Sequence, residues 1–361
     1  ALDFEVPLVP LNDDRWRDVY VLELFHGPTL SFKDFGARTM ARLMGHFLKQ
    51  QDRYLTVLVA TSGDTGSAVA DGFAGQPNIR VVLLYPHGQV SPTQERQLIV
   101  KRPGVTALAV DGSFDDCQRL VKDAFHDPGL ETVELSSANS INIGRLLPQM
   151  LYYMEALRKG QFEPAFCVPS GNLGNLTGGL LARLSGLPVR RFIAAHNAND
   201  FFPCHLSEGL NSYRASVRTL SNAMDVGVPS NFERIRALLS PEEMRGMSKG
   251  YSISDEETIA GMRRVFEETG YLPDPHTAVG LVAAERYRRR SGDTSPVVVL
   301  STAHPAKFPE VVDRALGFVP EAPPVLARLW KQDTSVTRIP PEASMLRDVI
   351  LSSDVDTRLR N

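Results

Sequence analysis

Short apolar runs recur through this chain, and helical patterns alternate with them. The strand-like runs fall at 55–60, 80–84, 105–110, 165–168, 191–195 and 296–300. Helical periodicity occupies 36–49, 65–72, 114–125, 142–159 and 176–185, and in the fourth of these Leu146, Met150, Tyr153 and Leu157 share a face. Runs that are apolar at nearly every position, rather than at alternate ones, belong to strands covered on both sides. Such strands alternating with helices build parallel sheets. The fold class expected is therefore α/β, parallel sheets flanked by helices. The Pro-rich portion after Val319 reads as short helices wrapping the core, and 296–300 as the last clear strand.

Ligands of open α/β sheets gather where strands end, and the polar residues of this chain do the same. Thr61-Ser62-Gly63-Asp64-Thr65-Gly66 follows one apolar run. Its hydroxyls and helix-start amides suit a carboxylate, although Asp64 would repel an anion; the plain alternative is that Asp64 or Ser62 caps the next helix. Ser170-Gly171-Asn172-Leu173-Gly174-Asn175 joins another run to a helix. Its glycines allow a close backbone approach, and free N–H groups at a helix start favour a phosphate; a tight αβ turn is the alternative. No dinucleotide or Walker fingerprint is present, which disfavours adenine nucleotides. Asn142 and Arg145 sit in a polar stretch before a helix, where a bidentate phosphate contact competes with simple capping. After the last run come Ser301-Thr302, with His304 read as structural and Lys307 as a second positive charge for a phosphate. His26, His87 and His276 are read as structural too.

Lys33 lies between Phe32 and Phe35, after the turn-rich His26-Gly27-Pro28-Thr29. Desolvation lowers a lysine pKa, and a neutral amine attacks carbonyls. This is what a Schiff-base lysine requires, above all one holding pyridoxal phosphate. A solvated lysine paired with Asp34 is the competing reading.

Composition removes other classes. With 361 residues, 43% hydrophobic, 22% charged and a net charge of −3, the chain reads as an ordinary globular protein of one large core or two lobes. No basic stripe suggests nucleic acid, and no apolar run approaches bilayer length. Cys117, Cys167 and Cys204 are odd in number and scattered, which argues for a reducing, cytoplasmic setting, no metal site and three small buried residues.

Taken together and in order, the segments 26–38, 60–66, 85–98, 136–145, 170–179, 220–225 and 302–308 resemble the threonine synthase family, in its shorter bacterial and fungal branch. The resemblance implies a two-lobed fold-type-II pyridoxal-phosphate enzyme, similar to the tryptophan synthase β chain. It divides the chain into a smaller lobe over 52–160, a larger cofactor lobe over 1–51 and 161–330, and a helical tail over 331–361. The family normally carries an amino-terminal segment of several dozen residues ahead of this point, and the expectation is that it is absent here. Lys33 matches the family's catalytic Schiff-base lysine. Gly171, Asn172, Leu173, Gly174 and Asn175, with Ser170, match the loop for the cofactor phosphate. Thr302 matches the hydroxyl at the pyridine nitrogen, and Asp64 stands near the phenolic oxygen. Thr61, Ser62, Gly63, Thr65 and Gly66 match the loop for the substrate carboxylate, while Asn142, Arg145 and Lys307 are candidates for the substrate phosphate. The implied reaction turns O-phospho-L-homoserine and water into L-threonine and phosphate, in a monomer or homodimer acting on a small molecule. Another fold-type-II lyase, such as a threonine or serine dehydratase or a phospho-lyase, is the alternative, and an idle binding relative is the rival from another class.

Overall fold

The computed structural model describes residues 2–209 and 213–358. Among them are the strands β1 (Leu8–Pro10), β2 (Val19–Glu23), β3 (Leu55–Ala60), β4 (Ile79–Pro86), β5 (Val105–Val110), β6 (Leu135–Ser137), β7 (Ala165–Pro169), β8 (Arg191–His196), β9 (Ser248–Ser252), β10 (Val297–Ser301) and β11 (Thr337–Ile339). They form two sheets, in the orders β1-β2-β10-β7-β8-β9 and β11-β5-β4-β3-β6. Every pairing is parallel except that of β1 with β2.

Each sheet belongs to its own compact unit. The five-stranded sheet lies in a unit made of Lys33–Arg145 and the stretch from Pro323 onward. The six-stranded sheet lies in a unit made of Asp3–Phe32 and Leu146–Ala322. These boundaries differ from the lobes expected from the sequence. The helix Lys33–Gln51 belongs with the five-stranded sheet, because Gly72 of the helix Asp64–Phe73 brings it close: a Cβ there would stand 3.1 Å from the Arg38 amide nitrogen. The carboxyl-terminal stretch joins the same unit through β11, which pairs with β5, so it is not a purely helical tail; residues 359–361 of that tail lie outside the described residues.

The unbroken apolar runs are explained by burial. β3 and β4 are buried at every position. In the five-stranded sheet Val57, Val59, Val81 and Leu83 face one cluster with Ala37, Met40, Val69 and Phe73. Leu58, Ala60, Val82 and Leu84 face another with Cys117, Leu120, Leu346 and Ile350. Successive side chains point to opposite faces, and helices cover both. In the other unit Val21, Cys167, Ile193 and Val299 pack with Val279 and Ala283 of the helix Pro275–Ser291. On the opposite face Tyr153 meets Phe166 and Phe192 edge-on. Full burial of such side chains contributes about 1.5–3 kcal/mol each.

The helix expected over 142–159 is broken. A short helix Ile143–Leu146 gives way to a tight turn at Leu147–Gln149, and a second helix runs Met150–Gly160. Pro148 is the cause, since proline lacks the N–H and crowds the preceding turn. Leu146 and Tyr153 of the expected face are buried, while Met150 and Leu157 are only half-buried.

Candidate active site

In both sheets the strand order reverses beside a loop of interest. In the six-stranded sheet the chain proceeds from β7 to β8 and β9, then returns to β10 on the other side of β7. In the five-stranded sheet it proceeds from β3 to β4 and β5, then returns to β6 on the other side of β3. A crevice opens at the carboxyl ends of the strands at such reversals, and ligands bind there. The loops starting at Ser170 and Thr302 flank the first reversal, and those starting at Thr61 and Ala138 flank the second.

In the six-stranded unit, β7 delivers Ser170, whose amide donates to Ala195 O at 2.8 Å and whose hydroxyl donates to Val168 O at 2.9 Å. Gly171 admits no side chain: a Cβ there would stand 2.6 Å from the Met224 Cα. Asn172 is clamped from both ends, its Oδ1 accepting from Ser230 N at 2.5 Å and its carbonyl from Asn231 Nδ2 at 3.0 Å. Leu173, in a left-handed conformation at φ 60°, turns the chain into the helix Gly174–Leu184. The first amides of that helix have no partner in the preceding turn and carry partial positive charge. Asn175 is 4% exposed, and its Oδ1 accepts from the Tyr152 and Tyr153 hydroxyls at 2.6 and 2.8 Å. Burial holds both phenols well above their ordinary pKa, so they stay donors. The Asn175 Nδ2 is buried and has no hydrogen-bond partner among the described residues, a condition that costs about 1–3 kcal/mol unless something accepts from it.

Thr302, 5% exposed, follows β10. Its carbonyl accepts from Phe32 N at 2.9 Å, His304 N donates to Leu30 O, and Ser31 bridges Ala303. The residues immediately ahead of Lys33 are therefore laddered onto the segment that carries Thr302. Lys307, fully buried, donates from Nζ to Thr29 O at 2.9 Å and braces the same turn. His304 caps a different turn, Pro305–Lys307, by accepting from Ala306 N, and burial lowers its pKa.

In the five-stranded unit, Lys33 begins the helix Lys33–Gln51 and is half-buried, with Asp34 fully buried beside it. Thr61 Oγ1 accepts from the amides of Gly63 at 3.0 Å and Gly66 at 2.8 Å. It closes the start of the helix Asp64–Phe73, a task the sequence reading offered to Asp64 or Ser62. Ser62 and Thr65 are both half-buried at the same helix start. Asp64 is 4% exposed, and its Oδ1 accepts from Gln94 Nε2 at 3.2 Å. Asn142 caps the following turn, donating to Ser137 O and accepting from Gly144 N, both at 3.0 Å. Arg145 is 2% exposed and donates from Nη1 to Ala138 O. Burial pushes its pKa down to about 10, while Asp34 pulls the other way. Asn142, Arg145 and Lys307 thus spend contacts on the fold itself.

Several residues around these loops carry no sequence motif: Tyr152, Ser230 and Asn231, and the buried Asp274, His276 and Thr277. The one readable signal was Asp274-Pro275, an N-cap followed by a first-turn proline. Cys117 and Cys167 are buried as expected, whereas Cys204 is half-buried.

The residues present fit an anionic, hydrogen-bonding ligand: a strand-end glycine pressed on backbone, a helix start, and a buried amide donor left over. The chain matches the pyridoxal-phosphate dependent enzyme family over residues 4–303. It belongs to that class of enzymes, with their fold type II. A further match, to the carboxyl-terminal region of threonine synthases, spans residues 277–350. The chain is 45% identical to the threonine synthase of Escherichia coli over 98% of its own length and 81% of the relative's, and 45% identical to that of Serratia marcescens over 91% and 75%. The crystal structure of pyridoxal-phosphate-bound threonine synthase from Brucella melitensis superposes with a TM-score of 0.87 at 37% identity, over 96% of this chain and 80% of that one. The chain is a member of the threonine synthase family.

Proposed function

We propose that this enzyme converts O-phospho-L-homoserine and water into L-threonine and phosphate, a carbon–oxygen lysis of a phosphate ester followed by hydration. The observation that carries the reading is the 45% identity across most of a threonine synthase, together with a lysine, a phosphate-suited loop and a strand-end hydroxyl in that family's order. Lys33 would hold the cofactor; Ser170, Gly171, Asn172, Leu173, Gly174 and Asn175 would hold its phosphate; Thr302 would meet the ring nitrogen, with Asp64 near the phenolic oxygen. When bound, pyridoxal phosphate supplies an electron sink for the substrate's α-carbon.

The chain's own groups do the rest. The Lys33 amine takes the proton from Cα and returns one late in the cycle. A hydroxyl at the ring nitrogen, in place of a carboxylate, gives no full negative charge to stabilise a protonated ring. The start of the helix Asp64–Phe73, with Thr61 closing the turn and Ser62, Gly63, Thr65 and Gly66 around it, supports a substrate carboxylate through its amides. Asn142, Arg145 and Lys307 would orient the substrate phosphate through the loops they brace.

Incubation with phosphohomoserine should release phosphate and threonine in equal amounts. Formation of 2-oxobutanoate and ammonia beside the phosphate, in place of threonine, would instead indicate a phosphate-eliminating lyase, and 2-oxobutanoate from added threonine a dehydratase. Lys33→Ala should abolish turnover while leaving the circular-dichroism spectrum unchanged; near wild-type turnover would refute the role of Lys33.

A further inference from the structure

The loop that receives the cofactor phosphate is itself backed by the segment 219–225, and two of that segment's anchors lie next to Met224. One is Asp225, which accepts from Asn197 Nδ2 at 2.9 Å, Asn199 Nδ2 at 3.1 Å, and Thr219 Oγ1 at 2.6 Å and its amide at 2.9 Å. The other is His276. Its Nε2 accepts from the Ala223 amide at 3.2 Å, so the ring proton sits on Nδ1 and is donated to Asp274 Oδ1 at 2.7 Å. Asp274, fully buried, also accepts from the His276 amide and the Thr277 hydroxyl, and it caps the helix Pro275–Ser291. The His276 ring is 3% exposed and lies 5.0 Å from the Phe308 ring. A buried carboxylate, an oriented imidazole and a main-chain amide thus form one rigid line ending next to Met224. Met224 is the residue whose backbone approaches Gly171 so closely that no Cβ fits between them.

We propose that His276, oriented by Asp274, is a positioning residue for the cofactor-phosphate cradle, setting through the Ala223 amide the height of the Met224 backbone under Gly171. The proposal rests on the reading of residues 170–175 as that cradle. His276 touches neither cofactor nor substrate in this account. Its effect is carried by one hydrogen bond and one close backbone contact.

Two replacements separate the two ring nitrogens. In His276→Gln the carboxamide reaches the Nε2 position and keeps an acceptor for Ala223. In His276→Asn it reaches only the Nδ1 position, keeps the bond to Asp274, and takes the acceptor away from the half-buried Ala223 amide. Each variant, as apoprotein, is titrated with pyridoxal phosphate and with pyridoxal, which lacks the phosphate; binding is followed by absorbance. His276→Asn is expected to weaken pyridoxal phosphate binding about tenfold, the usual cost of one orphaned amide, with pyridoxal binding unchanged. His276→Gln is expected to stay close to wild type for both. If His276→Asn binds pyridoxal phosphate as wild type does, or loses affinity for both ligands equally, the positioning role is overturned. Asn175→Ala is the control for the underlying reading. If it leaves the preference for the phosphorylated ligand intact, the cradle assignment falls. If it removes that preference while His276→Asn does not lower it, only the inference about His276 falls.

Discussion

Replacing Gly171 by alanine tests whether the phosphate loop is set by a backbone-to-backbone contact. The added Cβ would stand 2.6 Å from Met224 Cα and 3.0 Å from Met224 O. Carbon atoms pack at about 3.5–4.0 Å, so the two segments must part by about 1 Å. Neither neighbour is a side chain that can rotate away. The Met224 side is pinned by Asp225 to Asn197, Asn199 and Thr219, and by Ala223 to His276, so the displacement falls on the loop at 170–175. Overpacking of this kind costs about 1–3 kcal/mol, or about tenfold to a hundredfold in cofactor affinity when the strain is relieved by moving the loop. Cofactor titration of the apoprotein measures this directly. Thermal unfolding with and without cofactor measures it again: a hundredfold weaker Kd removes about 2.7 kcal/mol of cofactor stabilisation, while the apoprotein changes much less. If Gly171→Ala bound cofactor like wild type, with the same gain in stability on binding, the loop would not be positioned by this contact.

Two further substitutions probe buried charges. Arg145→Met removes the cation beside the fully buried Asp34 and should lower unfolding stability by about 3–5 kcal/mol, the usual cost of stranding a buried charge; denaturant titration with a loss below about 1 kcal/mol would place Arg145 outside the structural framework. Asp225 has its pKa lifted by burial to about 6, against the pull of its hydrogen bonds from Thr219 and Asn197. A carboxyl whose folded-state value lies above its unfolded one binds its proton more tightly when folded. Its stabilising contribution is therefore complete below the unfolded value, near 4, and is lost as pH rises through about 6. Wild type should lose stability relative to Asp225→Asn between about pH 4 and pH 6, and the two curves should run parallel above; a wild-type gain over that window would refute the shift.

What could be read from the chain alone follows from which forces are local. β3 and β5 were readable to the residue, because burial of all of β3 and of the last four residues of β5 leaves a nearly continuous apolar run. β9 reads Ser-Lys-Gly-Tyr-Ser and β11 only Thr-Arg-Ile; both are edge strands held by their neighbour's backbone, and backbone pairing writes little into side chains. The break at Pro148 was visible, but apolar periodicity on either side of it argued for one helix and misled. The loops at 61–66 and 170–175 stood out because glycines and hydroxyls cluster there after apolar runs. Thr61's inward task did not, nor did the inward contacts of Arg145 and Lys307, since each depends on where one carbonyl or amide ends up. His276 and Ala223 are 53 residues apart, and no spacing rule joins them. The division into units was hidden for the same reason: the chain crosses from one to the other at Phe32 and again at Arg145.

The pairing of β11 with β5 has a consequence for how the protein is made. During synthesis, β5 is complete once Val110 has emerged from the ribosome, yet the strand that lies along its outer side begins only at Thr337. At roughly 5–20 residues per second that wait is on the order of ten to forty-five seconds. For that interval the nascent sheet offers an open row of amides and carbonyls to any passing strand, and the edge closes only when its last partner arrives.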